Sequence, residues 1–196
     1  MIPEYFLYVS AALLFASGIS YVVATLRGEA QPNRITWVFW TLAPFVAAAA
    51  AYTEGAGLAV IPVAMNGIIT LMVLLASFVN KKAYWKSTMF DYVCGVAAFL
   101  ALSLWYLTSN AMLAIIFSIV TDVCASTPTL FKAYNYPESE DGLAYILAAI
   151  AMLIAIFATQ QFTFDAVAFS VSAFLINTII GIGIYRRWIF RQKVPQ

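Results

Sequence analysis

The sequence predicts an all-α membrane protein: seven transmembrane helices forming two parallel three-helix bundles joined by a linker helix. Three observations carry that expectation. Seven apolar runs each approach the ~20 residues a bilayer requires. The Lys and Arg residues gather in connections that share one side of the membrane, and matching polar residues recur half a chain apart. Composition agrees, with 64% apolar and 10% charged residues against about 25% charged in a soluble domain. Strands do not fit, because the runs are long and an open sheet leaves its edges unsatisfied in lipid.

In chain order the runs fall at 5–25, 35–52, 57–79, 88–107, 111–131, 142–159 and 164–185. The amino-terminal Met1 to Glu4 has no positively charged stretch, so the first run reads as a retained helix, not a cleaved signal. Short, turn-rich connections separate the runs: Gly28 to Arg34, Thr53 to Ala56, Asn80 to Ser87, Thr108 to Asn110, Lys132 to Asp141 and Gln160 to Thr163. Cys94 and Cys124 lie inside apolar runs and read as small buried hydrophobes. Arg27, Arg34, Lys81, Lys82, Lys86, Lys132, Arg186, Arg187, Arg191 and Lys193 fall on one side, with Glu4, Glu54 and Asp165 on the other. Basic residues accumulate on the cytoplasmic side. The expected orientation therefore has the amino terminus outside and the carboxyl terminus in the cytoplasm.

The third and seventh runs each place an asparagine near mid-membrane followed by Ile-Ile: Asn66 before Ile68 and Ile69, Asn177 before Ile179 and Ile180. The second and sixth each carry an aromatic one turn in, Trp37 and Tyr145. These correspondences are offset by about 107 to 111 residues, the mark of an internal repeat. Three crossings end opposite to where they began, so a second copy in the same orientation needs one extra helix. The expected division is a first repeat at 1–80, a linker with the fourth helix at 81–109, and a second repeat at 110–196.

Polar residues in apolar runs are the candidate site. Asn66 and Asn177 either glue helices together, for roughly 0.6–2 kcal/mol, or contact a shared substrate near the pseudo-axis. Thr70 and Ser77 follow Asn66 at helical spacing, and Ser170 precedes Asn177 by two turns. Ser10, Ser17 and Tyr21 make a similar stripe on the first helix, which lines a wet path or a tight interface. Asp122 stands deep in the fifth run with no basic partner at its depth. Intramembrane carboxylates are costly and functional by default, so Asp122 is the candidate proton-coupling group; the competing reading is a neutral Asp hydrogen-bonded to Asn or Thr neighbours. Asp91 reads as interfacial, solvated or paired with Lys86. Pro44 and Pro128 each remove a backbone donor from a helix and read as hinges or fixed kinks. Trp37 and Trp40 fit an aromatic belt, or an inner gate with Tyr145.

The order Pro128-Thr129, Lys132, Ser139, Gly142, on the 3+1+3 plan, resembles the PQ-loop superfamily, which includes the SWEET sugar transporters and lysosomal amino-acid exporters. Thr129 stands where the family has Gln, and the first repeat has Ser20-Tyr21 with no proline. The run from Pro32 to Trp40 resembles a bacterial branch, which implies a cell inner (plasma) membrane. The resemblance implies substrate contact by Asn66 and Asn177, and a coupling carboxylate at Asp122, as in the lysosomal exporters.

The expected function is then a small-solute transporter, a uniporter or proton-coupled, acting by alternating access. A sugar site generally wants an aromatic platform opposite the asparagines. The middle of the second helix is Ala47 to Ala51, and the sixth offers Ala148, Ala149 and Ala151, so a neutral or zwitterionic solute fits as well as a sugar. A cargo receptor on the same fold, or a vitamin transporter of the nicotinamide-riboside type, is the alternative. A retinal protein needs a lysine in the last run, and residues 164–185 have none. An aspartyl protease needs two carboxylates in register. With no histidine, and both cysteines inside apolar runs, neither hydrolytic catalysis, a metal nor a cofactor is expected. The expected partners are a small-molecule substrate and the lipid bilayer, not nucleic acid. Both repeats lie in one chain, so a monomer suffices, and homo-oligomerisation is left open.

Overall fold

A computed structural model describes residues 2–80, 83, 85–108 and 110–189. Lys81, Lys82, Arg191 and Lys193, counted above among the basic residues, lie outside them. The described residues form seven α-helices and no strand: α1 (Phe6–Arg27), α2 (Arg34–Thr53), α3 (Val60–Val79), α4 (Met89–Thr108), α5 (Ala111–Asn135), α6 (Gly142–Ala158) and α7 (Phe164–Ile189). Short 3-10 turns at Gly57–Ala59 and Pro137–Ser139 lead into α3 and α6. Six of the helices are long and apolar enough to cross a membrane. The seventh, α6, has 17 residues and spans about 26 Å, short of the ~30 Å of a hydrocarbon core.

The helix boundaries follow from local chemistry. Gly28 ends α1 at φ 79°, a left-handed conformation that returns its N–H to the carbonyls of Ala24 and Thr25. Asn33, Asn110 and Asp141 cap α2, α5 and α6 by accepting from backbone N–H groups of the first turn.

The outer surface is apolar, with Phe99, Leu100, Phe157 and Leu175 all exposed, while nineteen polar or charged side chains among the described residues are buried. A soluble protein has the reverse arrangement. This is the build of a multi-pass helical membrane protein, and its interior is packed on small residues, chiefly alanine.

Helix α3 packs against both α1 and α2, and α7 against both α5 and α6. Between these groups α1 packs on α6 and α2 on α5, while α4 lies against α5 with a lesser contact to α2. Gly18 permits the α1–α3 approach, since a Cβ there would sit 2.6 Å from Ile69 Cβ. The serine stripe of α1 serves as helix glue: Ser10 Oγ donates to the Ala151 carbonyl at 2.6 Å and Ser17 Oγ to that of Ala144 at 2.8 Å. Thr36 Oγ1 donates to the Ala125 carbonyl at 2.8 Å, and Trp40 Nε1 to Ser126 Oγ at 3.0 Å, joining α2 to α5.

Two expectations are corrected here. Helix α5 does not end at residue 131: it runs on to Asn135, carrying Lys132 inside it and buried. Asp91 is buried and not paired with Lys86. Its carboxylate accepts from Asn33 Nδ2 at 2.6 Å and from the Thr88 hydroxyl at 2.8 Å and backbone N–H. Asn33 thus caps α2 with its oxygen and holds the start of α4 with its nitrogen.

Candidate functional site

Six of the seven helices wall one central cavity. Ser17, Gly18 and Tyr21 come from α1, Trp37 and Trp40 from α2, and Asn66, Ile69, Thr70 and Val73 from α3. Asp122 is the contribution of α5, Ala144, Tyr145 and Ala148 that of α6, and Ala173, Ile176 and Asn177 that of α7. The cavity therefore brings together Asn66, Asn177, Thr70, Asp122, Trp37, Trp40 and Tyr145. Ser170 is buried but not part of the wall, and Pro44 and Pro128 sit inside α2 and α5 away from it. The cavity is small, about 40 Å³.

Asp122 is 5% exposed, and no donor among the described residues bonds its carboxyl. The expected alternative of an Asp tied to Asn or Thr neighbours is thus not what the side chain does; only its backbone carbonyl is engaged, by Ser126 Oγ at 2.5 Å. Asn177 Nδ2 donates to the Ala173 carbonyl one turn back at 2.8 Å. Trp37 Nε1 is buried with no acceptor among the described residues.

Thr70 has a backbone partner that its sequence position did not reveal. Pro44 has no N–H, so the Trp40 carbonyl four residues earlier loses its helical donor. Thr70 Oγ1, from α3, lies 2.8 Å from that carbonyl and supplies the missing bond, within reach also of the Asn66 carbonyl at 2.9 Å. Thr70→Val keeps the shape and removes the hydroxyl. It is expected to cost about 1–3 kcal/mol for an unsatisfied buried carbonyl, measured as a lower midpoint of SDS-induced unfolding in mixed micelles.

No aromatic platform stands at the mid-membrane level of α2 and α6, as expected, but rings line the cavity at another depth. The middles of α2 and α6 are alanine, whereas the cavity lies nearer the basic-loop end and reaches their first two turns. There Tyr21, Trp37, Trp40 and Tyr145 pack together, with Tyr21–Trp37 centroids 4.6 Å apart, Trp37–Trp40 5.2 Å, Tyr21–Tyr145 6.0 Å and Trp40–Tyr145 6.3 Å. All four rings contribute to the cavity wall.

Beyond the rings lies the element that sequence reasoning missed. Glu140 and Lys132 form a buried ion pair, Nζ to Oε1 2.9 Å, with both side chains 1% exposed. The second carboxylate oxygen accepts from the Tyr21 hydroxyl at 2.6 Å and the Tyr145 hydroxyl at 2.9 Å. Lys132 Nζ also donates to the carbonyls of Gln31 and Ser139 and stands 4.9 Å from the Trp85 ring centroid. Ser20 Oγ donates to Asp141 at 2.6 Å alongside. One polar latch therefore ties α1, α5, α6 and the 28–33 loop across this end of the cavity. A signal was available: Lys132 is the lone base of a connection holding Glu138, Glu140 and Asp141, on the side where bases otherwise dominate.

An apolar cluster lies toward the other end. Along α1, Leu7 borders a hollow at the far end, Leu14 lies in the apolar core, and Ser17 to Tyr21 face the cavity. Along α6 the same order runs from Thr159 through Met152 to Ala148. Leu14, Met152 and Phe169 belong to one buried cluster, an apolar plug between cavity and hollow. No family model, no curated protein and no solved structure matches this chain.

Proposed function

We propose that the chain is a small-solute transporter working by alternating access, with a cavity that holds the solute between two gates. One observation carries this reading: a cavity walled by six helices, holding a buried carboxyl and two carboxamides, lies between an apolar cluster toward one end and a hydrogen-bonded ion-pair network toward the other. A purely structural interior gains nothing from an unbonded carboxyl at its centre, because burying a polar group without a partner is costly.

Support for the 3+1+3 plan comes from the helix pairings. Apart from those of the linker helix α4, the main pairings have counterparts half a chain away: α1–α3 with α5–α7, α2–α3 with α6–α7, and α1–α6 with α5–α2. In this reading 1–80 and 110–196 are the two units that rock against each other, 81–109 links them, and Pro44 and Pro128 are their hinges. The likeness to the PQ-loop superfamily belongs to the same proposal, as does a cell inner membrane with the basic-loop end in the cytoplasm. Asn66 and Asn177 contact the solute, Trp37, Trp40 and Tyr145 form the inner gate, and Asp122 is the proton-coupling group.

The test is uptake into proteoliposomes across sugars, amino acids, amines and vitamins at two pH values. Wild-type flux that differs between the two values, with Asp122→Asn flux that does not, is the expected result. Asp122→Asn flux equal to wild type at both values excludes proton coupling through this residue. Uptake of no solute at all favours a receptor on the same fold.

A further inference from the structure

We propose that the solute taken by the central cavity is a small organic monocation, an ammonium compound held by Asp122 over a floor of aromatic rings. This rests on the reading of the cavity as a solute site and names the chemistry of its occupant.

The charge inventory of the wall carries the inference. Of the residues lining the cavity, one is acidic and none is basic. The Lys132 ammonium, the base joined to the wall through Glu140, is committed to that carboxylate and to the Gln31 and Ser139 carbonyls. Among the described residues Asp122 therefore has no counter-charge in the cavity wall and no hydrogen bond to its carboxyl. A monocation supplies both at once: opposite charge at short range where little water competes, and, for a primary amine, charge-assisted N–H donors. A neutral solute supplies no charge. An anion meets a carboxyl with nothing to offset it.

The rings point the same way. Trp and Tyr attract a cation to their faces through the ring quadrupole, and desolvation strengthens that attraction. Tyr21, Trp37, Trp40 and Tyr145 are all nine-tenths or more buried. Two carboxamides in the wall, Asn66 and Asn177, offer hydrogen-bonding groups to a hydroxyl elsewhere on the ligand. An amino alcohol has the required parts, a cationic head and a hydroxyl for the carboxamides, and the small cavity favours the shorter members of the class.

The experiment pairs each cation with its uncharged isostere: ethanolamine against propan-1-ol, and choline against 3,3-dimethylbutan-1-ol. Purified protein is titrated with each, following tryptophan fluorescence. Within at least one pair the cation is expected to bind ten-fold or more tightly than its isostere; Asp122→Asn abolishes that preference and Asp122→Glu retains it. Equal binding within both pairs, binding of no cation, or an undiminished preference in folded Asp122→Asn overturns the proposal. Should Asp122→Asn fail to elute as a monodisperse species, Asp122→Glu and the wild-type isostere ratios decide alone. Proteoliposomes that take up neutral solutes with no cation preference sink this inference and leave the transport reading intact. Cation-selective binding without flux of any solute supports the inference and removes the transport reading.

Discussion

Lys132→Met is expected to destabilise the protein by about 3–5 kcal/mol, the cost of leaving one member of a buried ion pair without its counter-charge. The site meets the conditions for that figure. Both side chains are 1% exposed, so solvent screening does not discount it. Removing Lys132 leaves the Glu140 carboxylate with two phenol donors but no cation, and strips the Gln31 and Ser139 carbonyls of their shared donor. The double variant Lys132→Met/Glu140→Gln removes both charges while the substituted amide oxygen still accepts from the phenols, so it should recover most of the loss. SDS-induced unfolding in mixed micelles measures both. A single variant within about 1 kcal/mol of wild type, as for an exposed pair, would mean that the latch is solvated in the protein as it exists in detergent.

The latch also marks the boundary of what the sequence disclosed. Long apolar runs made the helices legible, because length and hydropathy are local properties. Asn66, Asn177 and Asp122 were legible as candidates for the same reason: a polar residue in an apolar run is an anomaly at any position. Glu140 was not, because an acid in a turn-rich connection has water as its default partner. Its burial depends on Lys132 extending α5 past the apolar run and on the 28–33 loop closing over both, which are tertiary facts. The same gap hid Asp91, whose partner Asn33 lies 58 residues away. The aromatic floor was hidden by depth: counting from the middle of α2 and α6 reaches alanines, and only the assembled bundle places the cavity at their first turns. Thr70 reads as a polar stripe residue until Pro44 is seen to orphan the carbonyl it caps.

Tyr21→Phe should unlatch the basic-loop end without disturbing the rings. The substitution removes one hydroxyl and keeps the aromatic packing, so Tyr21–Trp37 contact and cavity shape persist. What is lost is a hydrogen bond to a buried carboxylate, worth about 1.5–3 kcal/mol, and it is lost only while the latch is closed, since water replaces the phenol once the end opens. Because each 1.4 kcal/mol is a factor of ten, the open population should rise by about ten- to a hundredfold. A single cysteine at Ala148, in a Cys94→Ser/Cys124→Ser background, reports this as faster labelling by a thiol reagent added from the basic-loop side. Tyr145→Phe should act in the same direction, and the double variant further. Tyr5→Phe, at an exposed ring remote from the latch, should leave the rate unchanged. An unaltered rate in Tyr21→Phe and Tyr145→Phe would place the moving element elsewhere. A rate raised equally from both sides would indicate general loosening, which the alternating-access reading forbids, because opening one gate must leave the Leu14–Met152–Phe169 plug closed.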